Sequence, residues 1–223
     1  MAADPICEIH PVVEPQRVGE IVERALAYPF AAPASSFIQL GSETLELPAE
    51  GPDLSGRTPL LAYGANAAPE ALAAKLATLP EVPLPVLRTA LAGFDVVYSA
   101  HVSFHGAIPA TLTPSPGTTA PVFVMHPTAE QLALLSATEP NYELAEAGGT
   151  PAFLSRHGPL LLDGEPVALT AVASAGRTLP EMSERQVLEL ARRRLAPEQT
   201  LEQFVLACIE SGGVAALPAF GVP

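Results

Sequence analysis

The spacing of apolar residues separates a helical first segment from a strand-rich middle. Within residues 15–28, apolar side chains recur at helical spacing, which predicts an amphipathic helix. A short apolar piece follows at 37–40, and a loop over 48–57 ends the segment. Because so short a segment cannot readily build its own core, we predict that residues 1–57 form an N-terminal arm packed on a main domain.

The main domain is predicted to span residues 58–213. Its predicted strands cover 59–63, 92–99, 107–113 and 120–125, with a proline-rich loop at 78–88, a turn at 115–117 and a hairpin turn at Asp163-Gly164. These strands come in runs rather than alternating with helices. The pattern therefore favours an α+β fold with a mixed or antiparallel sheet, and it allows a closed barrel.

Helices are predicted on either side of the strand-rich region. Their starts and ends are marked by Pro69, by the capping boxes Thr128–Gln131 and Ser183–Gln186, and by Pro140, Pro197 and Gly212-Gly213. The apolar residues 214–223 then form a C-terminal tail. We expect this tail to dock on the domain or on a partner.

Composition limits the classes of partner. The sequence has 223 residues, of which 48% are hydrophobic and 16% charged, so it has enough apolar material for a core. A net charge of −13 argues against nucleic acid and against an anionic membrane surface. No signal peptide or membrane-spanning run is evident, and the two cysteines, Cys7 and Cys208, are far apart, so we expect a reduced, cytoplasmic protein. The sequence leaves a homodimer open.

Common catalytic motifs for hydrolases, phosphate loops and dinucleotide binding are absent. His101 and His105 have a spacing that suits a metal, but no third ligand is apparent, and surface or core histidines are the simpler interpretation. Arg192 to Arg194 are expected to form a solvated helix face with partners such as Glu189. Cys208 falls on an apolar helix stripe and is expected to be inert.

Two short stretches carry more chemistry. The first is Tyr63-Gly64-Ala65-Asn66, a strand-to-helix turn whose backbone N–H groups and helix dipole could hold an anionic group. Gly64 would allow close approach of a ligand, and the Asn66 amide could donate or accept a hydrogen bond. A purely structural turn explains the same pattern.

The second stretch surrounds Glu139, which lies just past a predicted helix C-terminus and before Pro140. The helix dipole there disfavours a charged carboxylate, which suits a general base near neutral pH. Tyr142 is close enough in sequence to share the pocket. The alternative is a solvated residue at a helix end.

Taken in order, these stretches resemble the γ-glutamylcyclotransferase-like (AIG2-like) family. That family has a strand followed by Tyr-Gly-Ser-Asn, an Ala-Thr strand, a proline-glycine turn, a short helix, and then Glu and Tyr. The matching positions here are Tyr63–Asn66, Ala110-Thr111, Pro116-Gly117, Val122–Val124, Glu139 and Tyr142. The resemblance covers residues 60–145 best and does not include the first 57 residues.

The resemblance implies a small mixed β-barrel flanked by helices and a reaction that releases 5-oxoproline from a γ-glutamyl substrate. Glu139 would be the general acid/base, and Tyr63, Gly64, Ala65, Asn66 and Tyr142 would bind the substrate. No metal or organic cofactor is implied, because the nucleophile is part of the substrate.

Three positions depart from the family pattern: Ala65 replaces the serine, Gly106-Ala107 replaces paired glycines, and Ser136 stands where an aspartate is frequent. They leave the base in place and leave the substrate open between γ-glutamyl amino acids and γ-glutamyl amines. The alternative is a non-catalytic module on the same fold that binds γ-glutamyl compounds or a protein partner.

Overall fold

A mostly antiparallel sheet forms the centre of the fold. The computed structural model describes residues 15–214 and 217–220. The strands are β1 (Phe37–Leu40), β2 (Glu43–Leu45), β3 (Leu60–Ala62), β4 (Leu84–Tyr98), β5 (Ala110–Met125), β6 (Tyr142–Ala147), β7 (Thr150–Ser155), β8 (Leu161–Leu162), β9 (Glu165–Pro166), β10 (Ala168–Leu169) and β11 (Glu181–Met182). The helices are α1 (Pro15–Leu26), α2 (Pro69–Lys75), α3 (Ala129–Ala137), α4 (Glu184–Leu195) and α5 (Leu201–Glu210). The predicted α+β class is confirmed.

The sheet follows the order β11-β10-β4-β5-β3-β7-β6, and β1 and β2 extend it from β4. Among the strand pairs of the described residues only β3–β7 and β10–β11 are parallel, and an isolated parallel bridge joins Leu162 to Phe220. An isolated bridge joins Ser99 to Pro159, which brings the chain after β7 back to the end of β4. Among the described residues no continuous ladder closes the sheet, so the expected barrel is not confirmed.

Two predicted features of the central strands are wrong. β4 begins at Leu84, inside the stretch predicted as a proline-rich loop, because Val86 and its neighbours pair with both β1 and β5. The predicted turn at 115–117 lies inside β5, where residues 115–118 bulge out opposite Gly93. A hydrogen bond of 2.8 Å between the Ser115 and Thr118 hydroxyls joins the two ends of this bulge. The backbone of the bulge requires a positive φ at Gly117, which is +86°.

The hairpin turn at Asp163-Gly164 is confirmed, since both residues have positive φ and join β8 to β9. β6 was not predicted. It pairs with β7 at the end of the sheet and is largely exposed on both faces. A strand with this exposure has no clear alternation of apolar and polar residues.

Helix caps were largely predictable. Both predicted capping boxes, at Thr128 and at Ser183, are present. The last helix begins at Leu201 instead of Pro197, because Thr200 and Gln203 form a third capping box. Arg192 donates to the carbonyl of Pro197, which holds that residue in the connection before the helix.

The arm and the tail both contribute to the core. Val22 and Ala25 of α1 are buried in the larger hydrophobic cluster, and α1 packs on α5. Leu217 and Phe220 of the tail are buried in the same cluster. The Leu217 amide donates to the carbonyl of Ala100 at 2.6 Å, so the described part of the tail docks on its own domain. Cys7 and the rest of residues 1–14 lie outside the described residues, as do 215–216 and 221–223.

None of the described helices combines the length and the apolar character needed to cross a bilayer.

Candidate functional site

A cavity of about 510 Å³ lies where the arm, the turn after β3 and the end of α3 meet. Five of the six predicted site residues line it: Tyr63, Ala65, Asn66, Glu139 and Tyr142. The sixth, Gly64, belongs to the same turn. The turn and the glutamate, which are more than 70 positions apart in sequence, therefore face one space.

The turn is built by an abrupt change of backbone direction. β3 ends at Ala62, Tyr63 is extended, and Gly64 to Ala67 form one 3-10 turn before α2 begins at Pro69. Gly64 has a φ of +57°, in the left-handed region that favours glycine. A Cβ at this position would lie 2.4 Å from the Tyr28 hydroxyl, so the close neighbour that requires glycine is a side chain of the arm.

Glu139 is held by two side chains from the turn and from α2. The Lys75 ammonium donates to Oε1 of Glu139 at 2.5 Å, and the Asn66 side-chain amide donates to the same oxygen at 3.0 Å. Lys75 also donates to the Asn66 carbonyl oxygen at 2.8 Å, which closes a triangle. Since the side chains of Glu139 and Lys75 are only 12% and 18% exposed, this ion pair is largely shielded from water.

The two carboxylate oxygens of Glu139 differ in their surroundings. Both hydrogen bonds end on Oε1, and the described residues place no donor on Oε2. Oε2 is also not among the fully buried atoms that lack a partner. The carboxylate is thus anchored through one oxygen and has the other free for a bound molecule.

Sequence reasoning missed Lys75. It is the only lysine in the 223-residue sequence, in which the other positions of permanent positive charge are arginines. It lies in the last turn of α2, nine residues after Asn66, so the helix carries it back toward the turn. A compact ammonium can donate to the amide oxygen and the carboxylate together, and the isolated lysine was the available signal.

Two tyrosines of the site donate to main-chain carbonyls. The Tyr63 hydroxyl donates to Phe153, and the Tyr142 hydroxyl donates to Ala110 at 2.8 Å. Burial raises the pKa of both phenols, which therefore remain neutral donors. These bonds join the wall of the cavity to β5 and β7.

A third tyrosine, Tyr28, enters the site from the arm and was also missed. Its hydroxyl oxygen accepts the amide hydrogen of Ala110 at 2.7 Å and lies so close to Gly64 that a Cβ there would be 2.4 Å away. Burial raises its pKa. The arm therefore fills part of the backbone cradle that the sequence assigned to a ligand.

Arg24 and His105 lie at the rim of the cavity. The Arg24 guanidinium lies 5.2 Å from the centre of the Phe30 ring and pairs with Glu70 at 2.6 Å. Desolvation lowers the pKa of the His105 imidazole, and the nearby cations of Arg24 and Lys75 lower it further. The rim thus carries one guanidinium and an imidazole that is mostly neutral near pH 7.

The structure does not bring the two predicted histidines together. His101 is buried, with Nδ1 at 2.6 Å from the Ser99 hydroxyl, while His105 is exposed at the rim. Burial and the neighbouring His157 lower the pKa of His101 to about 4. Within the described ranges no group of three or more His, Cys, Asp or Glu side chains could hold a metal ion.

Of the other two features, Cys208 agrees with its simpler interpretation. The arginine triplet agrees only in part, because the Arg192 side chain is 16% exposed and donates to the carbonyls of Pro197 and Gln199. Cys208 is buried, and burial raises its pKa to about 11, which leaves it an inert thiol. Glu189 pairs with Arg192 at 2.8 Å and lies 3.9 Å from Arg193.

Comparisons of the chain with protein-family models, with curated proteins and with solved structures found no match. The chemistry of the cavity itself is a carboxylate with one free oxygen, an adjacent ammonium and amide, and neutral phenols. Such a set can accept a proton from a bound amine and return it to a leaving group.

Proposed function

We propose that the protein is a γ-glutamylcyclotransferase-like enzyme that releases 5-oxoproline from γ-glutamyl amides, with Glu139 as general acid/base. The observation that carries this proposal is that Glu139, on which no described residue places a donor at Oε2, and the Tyr63–Asn66 turn line one cavity. A volume of about 510 Å³ suits a small ligand of this class.

In the proposed reaction the substrate supplies its own nucleophile. The unprotonated α-amine attacks the γ-carbonyl carbon, a C–N bond forms, and the carbonyl electron pair moves to oxygen. Oε2 of Glu139 takes the proton that the amine loses. The intermediate then collapses, the bond to the leaving nitrogen breaks, and Glu139 returns the proton to that nitrogen. The products are 5-oxoproline and a free amine or amino acid.

Lys75 and Asn66 support this role by fixing the carboxylate through Oε1. The ion pair with Lys75 and the Asn66 hydrogen bond both end on Oε1, which fixes the orientation of the carboxylate and leaves Oε2 for the substrate amine. An intramolecular attack mainly requires that the amine be oriented toward the carbonyl carbon. The entropy lost in this orientation is offset by the free energy of substrate binding.

The proposal includes a relationship to the family's small barrel. It is supported by the order β4-β5-β3-β7 and by the Ser99–Pro159 bridge, which returns the chain to β4.

The test is 5-oxoproline release from a panel of γ-glutamyl dipeptides and γ-glutamyl amines. Glu139→Gln should lower kcat by about 10²- to 10⁴-fold, the usual contribution of a general acid/base. Glu143→Gln is the matched control, because Glu143 lies nearby on β6 with a side chain that is 58% exposed and 3.6 Å from Arg156. The mechanism is wrong if Glu139→Gln turns over as fast as Glu143→Gln.

A binding module without turnover is the second candidate. It is favoured by the position of the Tyr28 hydroxyl, which lies against Gly64 and so covers part of the turn that a substrate would contact. Thermal stabilisation by γ-glutamyl compounds with no product formed would support this role and overturn the enzyme.

A further inference from the structure

Three of the four tyrosines in the sequence surround the cavity, and they use their hydroxyl groups differently. Tyr63 and Tyr142 each donate their proton to a main-chain carbonyl. The Tyr28 oxygen accepts from the Ala110 amide at 2.7 Å and lies against Gly64 of the turn. Among the described residues no acceptor takes the Tyr28 proton, so Tyr28 is the one phenol at the cavity with a hydrogen to offer.

An amide that donates to a phenol oxygen strengthens the O–H of that phenol as a donor. The Ala110 amide withdraws electron density from the Tyr28 oxygen, and chains of hydrogen bonds polarise one another in a site of low dielectric. The Tyr28 hydroxyl also lies against Gly64, between the turn and the cavity that Tyr28 lines. A substrate oxygen near the turn would therefore meet the phenol.

We propose that Tyr28 is a catalytic residue that donates a hydrogen bond to the γ-carbonyl oxygen of the substrate. This inference rests on the proposed cyclotransferase function and replaces the backbone amides of the turn as the stabilising donor. As the amine nitrogen bonds to the carbonyl carbon, the electron pair that moves to oxygen is stabilised by the Tyr28 O–H. The phenol keeps its proton, and the pair returns to carbon as the bond to the leaving nitrogen breaks.

A phenol suits this task because burial raises its pKa and keeps it protonated during turnover. The position also requires Gly64, since any Cβ there would meet the hydroxyl at 2.4 Å. The N-terminal arm therefore contributes a reacting-site group to a cavity whose base comes from the main domain.

The experiment compares Tyr28→Phe with Tyr98→Phe, using 5-oxoproline release from the best γ-glutamyl substrate. Tyr98 is the matched control because it does not line the cavity and its hydroxyl already donates to the carbonyl of Met182 at 3.1 Å. Loss of one stabilising donor should lower kcat by about 10²- to 10³-fold in Tyr28→Phe. KM should change little, and Tyr98→Phe should keep its kcat.

A merely structural role for Tyr28 predicts a different result. Tyr28→Phe would then lower the melting temperature but keep the kcat of Tyr98→Phe when both are assayed while folded, as circular dichroism verifies, and the inference would be overturned. A wild type that turns over no γ-glutamyl compound would instead overturn the proposed function, and with it this role.

A second variant tests the same role if Tyr28→Phe does not fold. Placing 3,5-difluorotyrosine at position 28 keeps the ring and oxygen but makes the phenol more acidic. The basic limb of the kcat profile should move to lower pH, whereas the same replacement at position 98 should leave it in place. An unchanged profile at position 28 would refute the donor role.

Discussion

The contact between Gly64 and Tyr28 can be measured as a coupling free energy. In Gly64→Ala the new Cβ would lie 2.4 Å from the Tyr28 hydroxyl, too close for both to stay in place. Alanine at a φ of +57° costs about 1–2 kcal/mol by itself. Displacing the hydroxyl also leaves the Ala110 amide without its acceptor, which costs about 1–3 kcal/mol more.

The cost of leaving the Ala110 amide without its acceptor is already present in Tyr28→Phe, which lacks the hydroxyl. In that background the nearest ring atom to the Cβ is Cζ at 3.5 Å, an ordinary contact, so Gly64→Ala should cost only the backbone part. The contact of the Cβ with Ala110 at 3.0 Å is common to both backgrounds and cancels. The double variant should therefore be more stable than additivity predicts, by about 1–3 kcal/mol.

The assay is urea unfolding followed by far-ultraviolet circular dichroism, since the chain has no tryptophan. Gly56→Ala is the matched control because Gly56 has a φ of +69° with nothing within 4 Å of a Cβ. Its effect should add to that of Tyr28→Phe within about 0.5 kcal/mol. If the Gly64 and Tyr28 effects add equally well, the hydroxyl does not lie against the turn, and the argument for its role fails.

Two other predictions concern charged groups. Lys75→Met should lower kcat by up to about a hundredfold, because the Glu139 carboxylate loses the ammonium that anchors it. Lys75→Arg should lower kcat less. Equal kcat values for wild type and both variants would contradict the anchoring role. Glu184 is fully buried, accepts from the Ile108 amide at 2.7 Å, and has Oε2 without a partner, so burial raises its pKa well above the ordinary value. A raised pKa in the folded state means that its stability contribution is lost as pH rises above about 4.3, the ordinary glutamate value. Urea unfolding of wild type and Glu184→Gln at pH 5 and pH 8 should show the variant gaining relative stability at the higher pH, and a difference that stays constant would contradict it.

Local signals predicted much of the fold. Helix starts followed from capping boxes at Thr128 and Ser183, since each satisfies orphan amides through side chains only three residues apart. The Asp163-Gly164 turn followed from residues that tolerate positive φ.

The wrong predictions fall where pairing with a strand that is distant in sequence determines the secondary structure. The last part of the proline-rich stretch, from Leu84, is strand because β1 and β5 pair with it, and a pairing partner more than 30 residues away leaves no local pattern. The dipeptide Pro116-Gly117 alone predicts a turn. In the structure the β4–β5 pairing continues on both sides of it, so it forms a bulge within β5.

The residues of the candidate site also include some that local signals predict and others that depend on distant contacts. Glu139 and Asn66 were predictable because each lies beside a recognisable helix boundary. Lys75 and Tyr28 were not, since their importance depends on where α2 ends and on how the arm folds back against the turn. Their partners are nine and 82 positions away in sequence.

The net charge of −13 disfavours an anionic ligand at long range, but the cavity has a different local balance. Its lining includes Lys75, which pairs with Glu139, and Arg24, which pairs with Glu70 at the rim, so the charges there nearly balance. Exposed charges beyond about 8 Å are largely screened at physiological salt, so the groups at the cavity wall dominate the field that a bound molecule meets. A γ-glutamyl group carries a carboxylate beside its reacting amine, and at this cavity it would meet paired charges instead of the net negative charge of the whole protein. The arm supplies Arg24 at the rim and Tyr28 at the turn, so the chemistry proposed for the domain depends on the segment that the family resemblance does not cover.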